Sequence, residues 1–199
     1  PEPEPDPGAR AGADIDIFRP RDPNEKVGQA GWGGRHVIPR DGPLTYTIYF
    51  ENVESATAPA QEVFVTDDLD ENLDWSTLEV TEIVWGGTNV NLPPATATLD
   101  ERVVIGDHRD DVDKTWWVDV QTNVDSQTGQ FSLEFHTLDP ETGELPDDVL
   151  AGFLPPNDDS GRGEGHVSFT IELKPETPDD LSFTDRKSTR LNSSHRYVS

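Results

Sequence analysis

Between residues 68 and 79 the chain reads DLDENLDWSTLE, with oxygen-bearing side chains at alternate positions: Asp68, Asp70, Asn72 and Asp74. Glu79 closes this twelve-residue span. Alternating oxygen donors closed by a carboxylate are the pattern of a calcium loop, because calcium takes many hard oxygen ligands at once. The spacing therefore gives Asp68, Asp70, Asn72, Asp74 and Glu79 as a candidate calcium site. The template is broken by Leu73, which stands where a calcium loop wants glycine, and by flanks that read as strands rather than helices. The competing reading is a polar loop running into a new strand.

A second stretch, FLPPNDDSGRGEGHVSFTI at 153–171, carries Gly161, Gly163 and Gly165 at alternate positions. A phosphate loop joins a strand to a helix whose N-terminus holds the anion. Here a strand follows Gly165, and no Lys-Ser or Lys-Thr pair is present, so the glycines read as tight backbone geometry leading into that strand. Ser160 lacks the nucleophile elbow, because residue 158 is Asp where that motif needs Gly. Two further acidic loops compete for a cation: Asn157, Asp158, Asp159 and Glu164, and Asp22, Asn24 and Glu25.

The histidines His36, His108, His136, His166 and His195 are scattered without zinc-ligand spacing. His136 and His166 share the outward parity of their strands, which reads as solvated surface. Five tryptophans raise the possibility of sugar stacking, and Trp116 and Trp117 point to opposite faces. Core or edge packing is the competing use. Glycoside hydrolysis needs two carboxylates flanking a sugar, a pairing that only the fold can arrange. The residues thus single out no catalytic group.

What positions these residues is a series of strands with period-two alternation. LTYTIYF puts Leu44, Tyr46, Ile48 and Phe50 on one face; WWVDVQT does the same with Trp116, Val118 and Val120. FSLEFHT offers Phe131, Leu133 and Phe135, and VSFTIEL offers Val167, Phe169, Ile171 and Leu173. Shorter strands are expected at 62–66, 76–85 and 101–105. The middle one changes phase between Val80 and Ile83, which predicts a bulge. VDSQTGQ reads as a hairpin with Gly129 at the position needing positive φ. One helical turn fits near Asp147–Ala151. One apolar face per strand means two sheets packed face to face. About seven strands fit an all-β, immunoglobulin-like β-sandwich, with a closed barrel as runner-up.

The net charge of −25 argues against nucleic acid and against anionic membrane surfaces, since both need Lys and Arg. No apolar run is long enough for a membrane helix. With no cysteine, disulfides, thiolate metal sites and cysteine nucleophiles are excluded together. A chain with no Met that opens PEPEPDPGAR reads as a piece of a longer protein.

Residues 1–21 read as an acidic, Pro-rich linker and the end of a preceding segment. Residues 22–175 form the sandwich module, and 176–184 its truncated end. Residues 185–199 are abruptly basic, with four of the fifteen Lys and Arg residues and one of the forty acids. DRKSTRLNSSH resembles the translation of a common sequencing-adapter oligonucleotide, so this segment is expected to be a non-native tail without stable contacts.

Three strings carry a family resemblance: DPNEK at 22–26, ATAPAQEVFVTDDLDENLDWST at 56–77, and LDPETGELPDDVLAGFLPPNDDSGRGEGHVSF at 138–169. They resemble an uncharacterised immunoglobulin-like domain of large bacterial extracellular multidomain proteins. The resemblance implies secretion, neighbouring domains of the same polypeptide as partners, and no enzymatic activity. That family pattern continues into a further strand, whereas here LKPETPDDLSFTD runs into the basic tail, so the last strand is expected to be missing and one sheet edge unpaired. The expected function is a non-catalytic structural or adhesive module at the cell surface, stabilised by calcium. Its other partners would be cell-surface or matrix glycans, with no nucleic acid and no membrane insertion. The alternative is a carbohydrate-binding module attached to a secreted hydrolase.

Overall fold

The computed structural model describes residues 25–28 and 42–177, together with the backbone of 190–192. The strands are β1 (Lys26–Val27), β2 (Leu44–Glu51), β3 (Glu62–Asp68), β4 (Leu73–Trp85) and β5 (Thr88–Asn89). They continue with β6 (Leu99–Gly106), β7 (Thr115–Val124), β8 (Gln130–Leu138), β9 (Glu164–Leu173) and β10 (Arg190–Asn192). No helix occurs among the described residues. The seven strands from β2 to β9 other than β5 are the long ones; β1, β5 and β10 are additions of two or three residues at sheet edges.

The strands form two antiparallel sheets, ordered β1-β2-β9-β4-β5 and β10-β3-β8-β7-β6. Their inward faces share one core. Ile48, Phe50, Val80, Ile83, Trp85, Val167, Phe169 and Ile171 from the first sheet meet Val63, Val65, Val118, Val120, Phe131, Leu133 and Phe135 from the second. The alternation that predicts these positions follows from side chains pointing to opposite faces along a strand. Trp116 is buried as well but lies outside this cluster, and Tyr46 packs on its margin. Aromatic stacking closes the centre: Phe135 lies on Phe153 with ring centroids 4.9 Å apart, and Trp85 meets both rings edge-on.

The predicted bulge is present. Val80 pairs with Phe169 and Glu82 with Ser168, so Thr81 is the extra residue, and a second register shift separates Asp74 from Glu79. The β7–β8 hairpin turns on Gly129 at φ 73°, where its missing side chain leaves room for the Trp75 ring. Asp148 and Ala151 close a single turn, with Ala151 N donating to Asp148 O.

One expectation is corrected. Of residues 185–199, the described 190–192 form β10, pairing Arg190 with Thr66, Leu191 with Val65 and Asn192 with Phe64. The β3 edge is therefore not left unpaired along this stretch. An edge strand presents a row of open N–H and C=O groups, and an extended segment of the same chain satisfies them whatever its composition.

Candidate functional site

The five predicted calcium ligands are spread over two strands and a turn. Asp68 ends β3 and accepts from Gln130 Nε2 at 3.0 Å. Asp70 Oδ1 accepts from the backbone N and side-chain Nδ2 of Asn72, an Asx turn that carries the chain into β4. Asp74 Oδ1 accepts from Ser76 N and Oγ. Glu79, beyond the register shift, accepts from Ala95 N at 2.8 Å. Among the described residues no three carboxylate or imidazole side chains converge in a group suited to a metal ion.

The 157–164 loop is likewise a piece of backbone engineering. Asn157 Nδ2 donates to Glu51 and Glu164, and Asp158 accepts from Ser160 and pairs with Arg162 at 2.8 Å. Gly161 sits at φ 73°, and a Cβ on Gly163 would lie 2.4 Å from Asn157 N. A Cβ on Gly165 would meet the Phe50 ring at 2.3 Å. The glycines answer to close approach and turn geometry, as their context predicts. Of the third acidic loop, Asp22 and Asn24 lie outside the described residues.

The outward parity of His136 and His166 holds, but neither ring is simply solvated. His136 lies 3.2 Å from Glu62 and 3.4 Å from Glu134, and His166 lies 3.0 Å from Glu82. Among the tryptophans, Trp85 and Trp116 are buried. Trp117 faces outward beneath the Arg102 guanidinium at 4.3 Å, and Lys174 lies over Trp75 at 5.3 Å.

An open cleft of about 280 Å³ lies at one end of the sandwich, between the β4–β5 turn and the end of β6. Trp85, Gly86, Val104, His108, Phe153 and Arg162 are among its walls, and no Asp or Glu lines it among the described residues. His108 Nε2 donates to Phe153 O at 3.1 Å, which ties the β6–β7 loop to the segment before β9. Beside the cleft, Asp107 is the centre of a clasp. Arg109 reaches it with Nε and Nη2, both at 2.8 Å, Arg109 N donates at 3.0 Å, and Trp116 Nε1 donates at 2.9 Å. The same guanidinium bridges to Asp148 at 2.8 Å. The Arg109 side chain holds the Asp107 carboxyl well below the usual carboxylate range, helped by the Trp116 donor against the opposing effect of burial. Asp148 is also lowered, first by the Leu150 N–H and then by Arg109.

A second buried acid was not singled out by any spacing in the sequence. Asp67 lies on β3 opposite Phe131 and faces the interior, with its side chain 0% exposed. Lys26 lies on β1 opposite Ile48 and also faces inward, from the other sheet. Its Nζ stands 2.6 Å from Asp67 Oδ2, with 10% of the lysine side chain exposed. The Tyr46 ring centroid is 4.6 Å from that nitrogen and the Phe169 centroid 6.0 Å. Asp67 Oδ1 is buried without a hydrogen-bond partner. The only signal available from sequence was an acid at an inward parity: Val63, Val65 and Asp67 alternate on one face.

Residues 22–90 match a family described as "Domain of unknown function (DUF7619)". No curated protein and no solved structure matches the chain. The matched segment supplies β1 to β5 and includes both Lys26 and Asp67. Within the first sheet β2 and β4 both pair with β9, which lies beyond the match.

Proposed function

We propose that this chain is an immunoglobulin-like structural module of a secreted or surface-attached bacterial protein, acting as a spacer or adhesive unit beside other domains of the same polypeptide. The observation that carries this reading is the closed interior: side chains from both sheets fill the space between them, with Phe131, Phe135, Phe153, Phe169 and Trp85 at its centre. Chemistry needs a water-excluding pocket with convergent reactive groups. The cleft beside β6 offers His108 and Arg162, which already bond to Phe153 O and to Asp158. The net charge of −25 keeps such a unit soluble beside its neighbours.

The carbohydrate-binding alternative needs a row of free aromatic faces, and the outward rings found here are covered by their neighbours. Arg102 lies over Trp117, Phe64 packs edge-on against His136, and Tyr49 packs against His166. The test is localisation in the producing cell. Protease shaving and antibody labelling of intact cells should reach the module. Its retention in a protease-protected cytoplasmic pool would overturn the proposal.

A further inference from the structure

We propose that Lys26 and Asp67 are joined by an amide bond, an intramolecular cross-link between the two sheets. The reacting groups are already adjacent, with Nζ 2.6 Å from the carboxyl oxygen Oδ2. Such placement replaces a bimolecular encounter with a unimolecular step. Both partners are inside, at 10% and 0% side-chain exposure, and the Tyr46 and Phe169 rings flank the amine.

As an ion pair this arrangement is poor. A buried carboxylate is ordinarily held by several donors, as Asp107 is, whereas Asp67 has one lysine and an oxygen with no partner. Taking both charges out of water carries a penalty that one contact repays only with good geometry and further hydrogen bonds. Burial therefore narrows the gap between the charged pair and its neutral form, an amine beside a carboxylic acid.

From that neutral form the chemistry balances without an added reagent. The ammonium gives one proton to the carboxylate. The freed amine lone pair adds to Cγ, and the tetrahedral adduct expels one carboxyl oxygen as water. That water carries the transferred proton and a second proton from nitrogen. The product is a neutral amide with one N–H and one C=O. Both buried charges are gone, and one of the two carboxyl oxygens has left. The released water passes to solvent, and the aromatic walls hinder its return.

The link would close a 41-residue separation in sequence and fasten the two-residue β1 to β3 of the opposite sheet. A strand whose described ladder pairs Lys26 with Ile48 and Val27 with Thr47 would thereby become a fixed part of the sandwich. Tension entering through β1 would be carried by a covalent bond rather than by that short ladder.

The experiment is intact-mass spectrometry of the purified full chain under denaturing conditions, followed by tandem sequencing of a protease digest. The expected mass is one water below the sequence mass, with a branched peptide joining Lys26 to Asp67. Lys26→Arg and Asp67→Ala should each restore the full mass. Asp67→Asn should form the same branched peptide by losing ammonia. The full sequence mass in a protein that unfolds cooperatively would overturn the proposal. So would a water loss that sequencing places at any other residue pair.

Discussion

Asp67 and Asp107 are both aspartates shut away from solvent, at opposite ends of β7, and they are held in opposite ways. Asp107 is 1% exposed and receives the Arg109 fork, a backbone N–H and the Trp116 indole N–H. Asp67 is 0% exposed, faces one ammonium group, and leaves an oxygen bare. Burial alone does not say what a carboxylate does. A fully donated one locks a turn, because each lone pair has an occupant. A half-donated one is an unstable arrangement that either weakens the fold or reacts. The contrast also divides by chain distance: Asp107 draws its donors from within nine residues, whereas Asp67 depends on a residue 41 positions away.

The sharpest way to break the comparison is to remove the lysine. Lys26→Met leaves Asp67 inside with no counter-charge, and should cost about 3–5 kcal/mol of unfolding free energy in urea titrations. The double variant Lys26→Met, Asp67→Leu removes the stranded carboxylate as well and should recover that part of the loss, leaving the part due to the missing cross-link. A single variant within about 1 kcal/mol of the parent would mean that Asp67 does not depend on Lys26.

The Asp107 clasp should respond next. Asp107→Asn keeps the shape but removes the charge facing Arg109, and should cost about 2–3 kcal/mol because charged donors lose their acceptor. The pH dependence follows from the lowered Asp107 value in the fold. A depressed carboxyl contributes stability that is fully present above its unfolded value near 4 and is lost as pH falls toward the folded value. Acid titration of the parent should therefore show stability declining below about pH 4, and Asp107→Asn should flatten that limb. Asp148, lowered by Leu150 N–H and Arg109, adds to the same slope.

Much of this architecture was legible in the sequence because it rests on local periodicity. The inward residues of β2, β7, β8 and β9, the Thr81 bulge and the Gly129 hairpin each have a short-range cause. The two buried acids were not legible, for different reasons. Asp107 sits in a turn where any sequence reader expects a solvated aspartate, and its burial comes from Trp116 and Arg109 folding over it. Asp67 continues the alternation of Val63 and Val65, but the lysine that makes its burial tolerable comes from the other sheet. The 68–79 segment shows the converse limit of reading spacing alone. Alternate acids along a sequence suggest convergence only if the backbone curls around a centre. In strand geometry alternate residues share a face but stretch out along it. Here Asp74 is already in β4, and Glu79 lies past a register shift.

Gly129 sharpens the comparison from a neutral direction, since it lies near the Asp67 end and touches neither charge. Gly129→Ala demands φ 73° of an L-residue and pushes a Cβ to within 2.3 Å of the Trp75 ring. The expected cost is about 1–2 kcal/mol from the backbone alone, read as a lower thermal midpoint with the denaturant slope unchanged. A loss as large as that of Lys26→Met would show that the β7–β8 turn, rather than the buried pair, governs this end of the sandwich.

The smallest effect is expected at the exposed acids of the 68–79 segment. Asp70 and Asp74 each accept from donors two residues ahead, so Asp70→Ala with Asp74→Ala removes two local turn contacts at the surface. Such changes fall at about 0.5 kcal/mol each. Divalent cations should still raise the thermal midpoint, because a chain of net charge −25 repels itself and counter-ions screen that repulsion. Screening depends on charge and concentration but not on ionic size. Calcium and magnesium at matched ionic strength should therefore give equal shifts, and the parent and the double variant should respond alike. A built oxygen site behaves otherwise, because calcium accepts irregular coordination at longer distances while magnesium holds its waters. A calcium-specific rise in the parent that disappears in the variant would restore the loop as a metal site. It would also mean that the Asx turns at Asp70 and Asp74 rearrange to bring their carboxylates together. Equal responses place the acidity of this segment in the same class as the rest of the outer surface, and leave Asp67 and Asp107 as the acidic residues whose surroundings matter to the fold.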